Sequence, residues 1–303
     1  SMLRMFFMSS IATVIIMFFA VYYVSYRLTK PLALMSEAAR CMAKGDFSRR
    51  IPVTSDDEVG ELAAAFNNMT DSLVQLESTR RSFVANVSHE LKTPMTTIGG
   101  FIDGIIDGTI PDERRNEYLA IVSDEVKRLS RLVQSMLSLS KMESGEIKIK
   151  PEEFDITATV INITVAQQQR IESKNITISG LDTLPKAIVC ADKDLIHQVI
   201  YNLVDNAVKF TNEGGEISFG VSLKDNNVYF VIKNSGEGLD EKDLPHVFER
   251  FFKSDKSRSA VKESTGLGLY IVKTIIDIHH GMISVKSIPG EYTEFQFYLP
   301  KGE

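Results

Sequence analysis

The chain has 303 residues, 44% apolar and 24% charged, an ordinary globular balance that excludes a largely disordered chain and leaves room for two or three domains. With 34 basic against 40 acidic side chains the net charge is −6, so no basic excess invites nucleic acid. The two cysteines, Cys41 and Cys190, are too far apart and too few for a disulfide framework or a metal cluster, and they suit a reducing compartment.

From Met5 to Tyr26 the chain reads MFFMSSIATVIIMFFAVYYVSY, without a charge. A helix of about 20 apolar residues crosses the hydrocarbon core of a bilayer, so residues 1–26 are expected to span a membrane. Tyr22, Tyr23 and Tyr26 cluster at one end, where amphipathic rings favour the interface. Arg27, Lys30, Arg40, Lys44, Arg49 and Arg50 follow, while Arg4 precedes; the positive-inside bias puts everything after about Arg27 in the cytoplasm. A signal peptide would have a shorter apolar stretch and a small-residue cleavage site.

Past the span, Leu28, Leu32, Met35, Ala39 and Met42 recur at heptad spacing. Gly45 breaks the pattern, residues 45–57 read as an extended linker with Pro52 inside it, and the seam resumes at Leu62, Phe66, Met69, Leu73 and Leu76. Two short parallel helices cannot bury such seams alone, which predicts a homodimer. RLTKPLALM, KGDFSRRIP and DDEVGELAAAFNNM, in that order after a span, make residues 27–79 resemble the HAMP linker of bacterial receptors.

The next segment, RRSFVANVSHELKTPMTTIGGFIDGIIDG, places Val84, Val87, Leu91, Met95 and Ile98 on one narrow helical face. His89 falls about 170° from the centre of that face and so points to solvent. A neutral imidazole is a competent nucleophile near pH 7, and Glu90 beside it can orient the ring and accept its proton. Pro94 removes a helical hydrogen bond and is expected to bend the helix one turn later. After a turn at residues 108–112, Val122, Val126, Leu129, Val133 and Met136 form a second seam. Two such hairpins would close a four-helix bundle. SHELKTP resembles the H-box of histidine kinases with a HisKA-type dimerisation domain, here residues 80–146. The resemblance implies that His89 takes the phosphoryl group, Glu90 is the general base, and Thr93 positions water when the partner is dephosphorylated.

From residue 147 the pattern is mixed. Strands are predicted at 176–179, 216–223, 227–234, 282–287 and 294–300, and helices at 156–173, 194–210 and 267–279, an α+β arrangement with helices on one face of a sheet. Asn202, Asn206 and Lys209 share one face of the helix containing NLVDNAVKF. Asparagine is a poor helix former, so two inside an apolar helix need a reason; an amide oxygen is a suitable ligand for Mg²⁺ bound mainly through phosphates. NSGEGL, residues 234–239, has two glycines that let backbone approach a ligand. STGLGLYIVKTII, residues 264–276, is a glycine loop opening into a helix, a natural phosphate site. Between them LPHVFERFFKSDKSRS is expected to hinge a lid at Phe248, Phe251 and Phe252 that carries Lys253, Lys256 and Arg258.

These four segments resemble, in order and spacing, the N-box, first glycine box, F-box and second glycine box of the GHKL ATPases. The resemblance implies a two-layer α+β sandwich that binds ATP and Mg²⁺, with Asn206 holding the metal and Asn202 and Lys209 near the phosphates. Gly236 and Gly238 would flank the adenine, Gly266 and Gly268 would line the phosphate loop, and Asn234, Phe252, Thr265 and Leu267 belong to the same site. Asn234 stands where the family usually has Asp, whose carboxylate accepts from the adenine amino group; an amide accepts without charge assistance. The second glycine box lacks its preceding glycine, having Glu263 and Ser264 instead, and the terminal loop reads GEYTEF without a glycine before the Thr.

As a whole the chain resembles a bacterial sensor histidine kinase of a two-component system. That implies autophosphorylation of His89 from ATP and transfer to an aspartate of a cytoplasmic response regulator, with phosphatase activity toward it. The alternative is an ATP-binding-impaired scaffold or phosphatase acting on that regulator. His197, His246, His279 and His280 lack ligand-like spacing and read as structural, His279 and His280 as favourable cations at a helix C-terminus.

Overall fold

The computed structural model describes residues 2–146, 148–254 and 265–301. Lys256, Arg258, Glu263 and Ser264 lie outside the described residues. The chain divides into two compact units, residues 1–85 and 86–303.

In the first unit, helix α1 (Met2–Met42) runs on through Pro31, so the predicted span and the first seam share one helix. Its most apolar 18-residue window has a mean hydropathy of 2.2 and none of it is buried, which makes it long and apolar enough to cross a membrane. Helix α2 (Glu58–Ile106) starts under a cap built by Asp57, whose Oδ1 accepts from the backbone N–H of Val59 and Gly60. The linker between them is pinned by Asn67, which accepts from the N–H of Ile51 and donates to its carbonyl. Ile51 is thereby buried with Met35, Ala38, Ala63 and Phe66 in a small core. The predicted seam is only partly that core. Ala38 is buried and Ala39 is not, and Leu28, Leu32, Leu62, Met69 and Leu76 are exposed. The reason is that Ile51, from the linker, packs one residue round the helix from the heptad seam, which stays open to a second chain.

In the second unit α2 passes unbroken through Pro94. A short turn of 3₁₀ helix leads to α3 (Arg115–Glu143). The predicted α3 seam again differs from the stripe that is buried. Val126 and Val133 are exposed, whereas Leu132, Leu139 and Met142 join the main core.

The α+β part has strands β1 (Glu152–Asp155), β2 (Thr177–Ser179), β3 (Ile188–Ala191), β4 (Glu216–Lys224), β5 (Asn227–Ser235), β6 (Met282–Ile288) and β7 (Tyr292–Pro300). Its helices are α4 (Ile156–Ala166), α5 (Gln168–Ser173), α6 (Lys193–Phe210) and α7 (Gly268–Ile278). The main sheet has the order β2-β4-β5-β7-β6, parallel only at β2–β4, and β1 pairs with β3 in a separate antiparallel ribbon. Two details depart from the expected elements. The helix at 156–173 is interrupted at Gln167, and β1 and β3, four residues each, are too short for period-two alternation to register.

Alternation does govern the long strands. Val228, Phe230, Ile232 and Asn234 of β5, with Thr293, Phe295, Phe297 and Leu299 of β7, point to the buried face. Against them lies α6, which buries Ile196, Val199, Ile200, Leu203, Val204, Ala207 and Val208, its first turn capped by Asp192 accepting from Leu195 N–H. Burying such side chains is worth about 1.5–3 kcal/mol each. His279 completes the end of α7. Its Nε2 accepts from the N–H of Asp192 and its Nδ1 meets the Ile275 carbonyl at 2.7 Å. An accepting Nε2 belongs to a neutral ring, so this buried His279 ties α7 to the start of α6 and is no helix-end cation.

Candidate active site: an exposed histidine and a nucleotide-sized cavity

The rotation argument for α2 places His89 in solvent, and there the ring is exposed. Thr93, one turn on, is also exposed and spends its hydroxyl on the His89 carbonyl at 3.2 Å. Glu90 is only 17% exposed and is held by two cations. Lys253 Nζ lies 2.5 Å from its Oε1, and Arg128 of α3 lies 3.7 Å from its Oε2. Arg128 in turn lies 3.5 Å from Glu125. A second set of contacts joins the end of α3 to the α+β part: Glu143 takes Arg250 as an ion pair and the Tyr270 hydroxyl at 2.8 Å. Burial there pushes the Tyr270 phenol above its ordinary value.

A cavity of about 310 Å³ opens beside the C-terminal half of α6, within the range of small-ligand sites. Asn206 and Lys209 of α6, Asn234 of β5, Gly238, Phe252, Lys253, Gly266 and Gly268 form part of its wall. The register explains the meeting of Asn234 with α6: it is the last inward residue of β5 and pairs with Thr293 of β7, which also lines the cavity. Asn234 is 5% exposed and its Nδ2 donates to the Ser235 carbonyl, so Oδ1 is what it offers a ligand. Lys209 is held at 2.6 Å by Asp205, which also takes Arg170 at 2.7 Å.

The glycines explain the loop shapes. Gly238 has φ +65° and a Cβ there would stand 2.4 Å from the Ile288 carbonyl oxygen; Gly236 abuts the Phe210 carbonyl in the same way. Gly266, at φ +70°, approaches the backbone of Phe251 so closely that a Cβ would sit 2.7 Å from it, and its carbonyl accepts the Phe251 N–H. Residues 251 and 266 are thus stitched together at the two ends of the predicted lid. Phe248 and Phe251 pack on the main core, and Phe252 stays at the cavity.

Four expected site residues stand behind the wall. Asn202, Gly236, Thr265 and Leu267 are not part of the lining. Leu267 is fully buried, its N–H directed to the Thr265 hydroxyl at 3.4 Å. Asn202 is the informative one. Its Nδ2 is buried and, among the described residues, has no hydrogen-bond partner, while its Oδ1 would lie 3.8 Å from a Cβ on Gly268. A buried donor without an acceptor is costly, and here it stands at the glycine start of α7, where backbone N–H groups favour a phosphate. The donors present therefore fit a nucleoside triphosphate, and the Asn206 amide oxygen in the wall is chemically suited to Mg²⁺.

Three family models match the chain: "HAMP domain" over residues 23–75, "His Kinase A (phospho-acceptor) domain" over 79–145, and "Histidine kinase-, DNA gyrase B-, and HSP90-like ATPase" over 191–303. The sensor histidine kinase YclK of Bacillus subtilis is 32% identical over 97% of this chain. The chain belongs to the sensor histidine kinases. It spans 63% of the length of that relative. The Acinetobacter baumannii histidine kinase AdeS is similar in structure over 71% of this chain and 98% of its own, at 28% identity and a TM-score of 0.59. The histidine kinase ThkA, solved in complex with the response regulator protein TrrA, matches over 75% and 64% at 28% identity and a TM-score of 0.60.

The sequence had no signal for Lys174 and Phe295 in the wall, because they come from two distant places in the chain outside the glycine and asparagine motifs. Lys174 donates to the carbonyls of Val208, Lys209 and Thr211 and so caps the end of α6. Arg128 was likewise invisible, since only the pairing of α2 with α3 sets it against Glu90.

Proposed function

We propose that this chain is the kinase part of a membrane sensor histidine kinase that phosphorylates its own His89 from ATP and passes the phosphoryl group to an aspartate of a response regulator. The single observation that carries the reading is the coexistence, in one compact unit, of a solvent-facing histidine and a cavity lined by Asn206, Lys209, Asn234 and the glycines 238, 266 and 268. His89 acts as nucleophile on the γ-phosphorus of ATP; its bond to the ring nitrogen forms as the β–γ bridge breaks and ADP leaves, and Glu90 takes the ring proton. Asn234 and Gly238 receive the adenine, Asn202, Lys209, Gly266 and Gly268 the phosphates, and Asn206 the metal. Gly236, Thr265 and Leu267 set the loop shapes, and Phe252 borders the base. When bound, Mg²⁺ neutralises phosphate charge. Thr93 serves the reverse chemistry, positioning water for dephosphorylation of the regulator.

The same reading divides the chain into a span at 1–26 in the bacterial cell membrane, a HAMP linker at 27–79, a dimerisation and phosphoacceptor region at 80–146 and the ATP-binding domain at 147–303. The open apolar seams support a homodimer, with the cytoplasm on the side of residues after about Arg27. The complex of ThkA with TrrA supports a response regulator as the partner. Incubation with γ-labelled ATP is expected to give an acid-labile, base-stable label that His89→Ala abolishes; a label that survives this change overturns the assignment. Asn234, an uncharged amide at the cavity where the resemblance expects a carboxylate, favours one second reading, a scaffold or phosphatase with an impaired nucleotide site. That reading requires no ATP binding at millimolar concentration in a titration.

A further inference from the structure

Lys253 belongs to the cavity wall and is also in direct contact with the phosphoacceptor helix. It lines the nucleotide cavity, and its Nζ lies 2.5 Å from Glu90 Oε1, both side chains being 17% exposed. Its position is fixed from behind. Phe251, two residues earlier, is held at φ +60° with its N–H on the Gly266 carbonyl, so the backbone entering Lys253 cannot drift. The ammonium therefore stands between two sites for negative charge, one filled by Glu90 and one made for phosphates.

This has a chemical consequence. A carboxylate oxygen in close contact with an ammonium is a weaker acceptor toward a second group, so Glu90 in this contact is a poorer partner for the His89 ring than a free carboxylate. Arg128, the other cation on Glu90, sits farther away at 3.7 Å and is shared with Glu125, so it holds Glu90 more weakly than Lys253 does. A nucleoside triphosphate brings several negative charges and many acceptor oxygens into the adjoining cavity. Phosphates in the cavity compete with Glu90 for this one flexible lysine, and each contact to a phosphate draws the ammonium toward the cavity.

We propose that Lys253 is a positioning residue shared by Glu90 and the nucleotide phosphates, weakening the base until bound phosphates draw the ammonium away. ATP binding then does two things with one side chain: it gains a cation for the phosphates and releases Glu90 to His89. The inference rests on the assignment of the cavity as the ATP site.

Competition for one lysine has a signature that a merely structural ion pair lacks. By linkage, removing the competitor must tighten nucleotide binding. Calorimetric titration of the full chain in detergent with Mg²⁺ and a non-hydrolysable ATP analogue is expected to show Glu90→Gln binding about fivefold or more tighter than the parent. Lys253→Met should bind more weakly, and in that background Glu90→Gln should change affinity by less than about twofold. Lys253→Arg should keep the effect of Glu90→Gln. An unchanged affinity in Glu90→Gln overturns the proposal, as does a tightening that persists in Lys253→Met, which would mark a long-range charge effect. Glu143→Gln loosens the neighbouring contact with Arg250 and Tyr270 without touching Lys253; equal tightening there would trace the effect to domain release and overturn the proposal too. If the parent chain binds no nucleotide, the cavity assignment falls as well, whereas binding without coupling sinks only the sharing of Lys253.

Discussion

Two helices carry the chemistry, and they are finished to different degrees. Helix α6 buries one whole face against the sheet and turns Asn206 to a cavity that the same chain completes. The part of α2 and α3 around His89 leaves Met95, Val126 and Val133 exposed. Apolar stripes at heptad spacing that stay wet in one chain are surfaces for a second copy. The proposed nucleotide site thus lies within one chain, whereas the proposed dimer would draw on the exposed stripes of α2 and α3.

The comparison breaks first where α6 is finished. Phe230→Ala removes a fully buried ring beneath it and is expected to cost about 3–5 kcal/mol, read by urea unfolding, while Met95→Ala should leave the unfolding of the single chain nearly unchanged. Next is the stitch that shapes the nucleotide loop. Gly266→Ala puts a Cβ against the Phe251 backbone at positive φ and should weaken nucleotide binding by about 1–3 kcal/mol in a titration. On the unfinished side, Val126→Asp should raise the dimer dissociation constant by roughly tenfold or more in sedimentation equilibrium, yet leave nucleotide affinity alone.

Smaller effects sharpen the picture of the α6 side. Asn234→Asp gives the adenine amino group a charged acceptor and should tighten nucleotide binding roughly fivefold. Because that position is 5% exposed, the same change should lower the melting temperature of the nucleotide-free protein. The smallest concerns Lys174, whose ammonium is held below the usual lysine range by burial and then by Arg170. It loses its proton in the folded chain before the unfolded chain does, so unfolding takes protons up between the lowered value and 10.5. Its contribution to stability therefore rises with pH across that window. The difference in unfolding free energy between parent and Lys174→Met should show that rise, and a flat difference would contradict it.

Periodicity carried far where one helix or strand decides the outcome. The outward direction of His89 follows from 3.6 residues per turn, and the inward direction of Asn234 follows from period two along β5. It failed where a linker or another element chose among neighbouring stripes. Ala38 displaced Ala39 because Ile51 came to meet it, and Leu132, Leu139 and Met142 were claimed by the α+β core rather than by the α3 seam. His279 failed for the same reason. A histidine ahead of a glycine at a helix end reads as a cation, until the N–H of Asp192, 87 residues away, occupies its Nε2.

The sequence by itself determined the long helices and strands, the glycine loops and the family resemblance, because each depends on residues close in the chain whose spacing carries the information. Only the tertiary structure decided who meets whom: Lys253 and Arg128 on Glu90, Glu143 with Arg250 and Tyr270, and Asn202 of α6, its Nδ2 without a partner among the described residues, beside the start of α7. Those pairings join residues up to 163 positions apart. Charge and hydrogen bonding act across space, and no local pattern records which distant group will arrive.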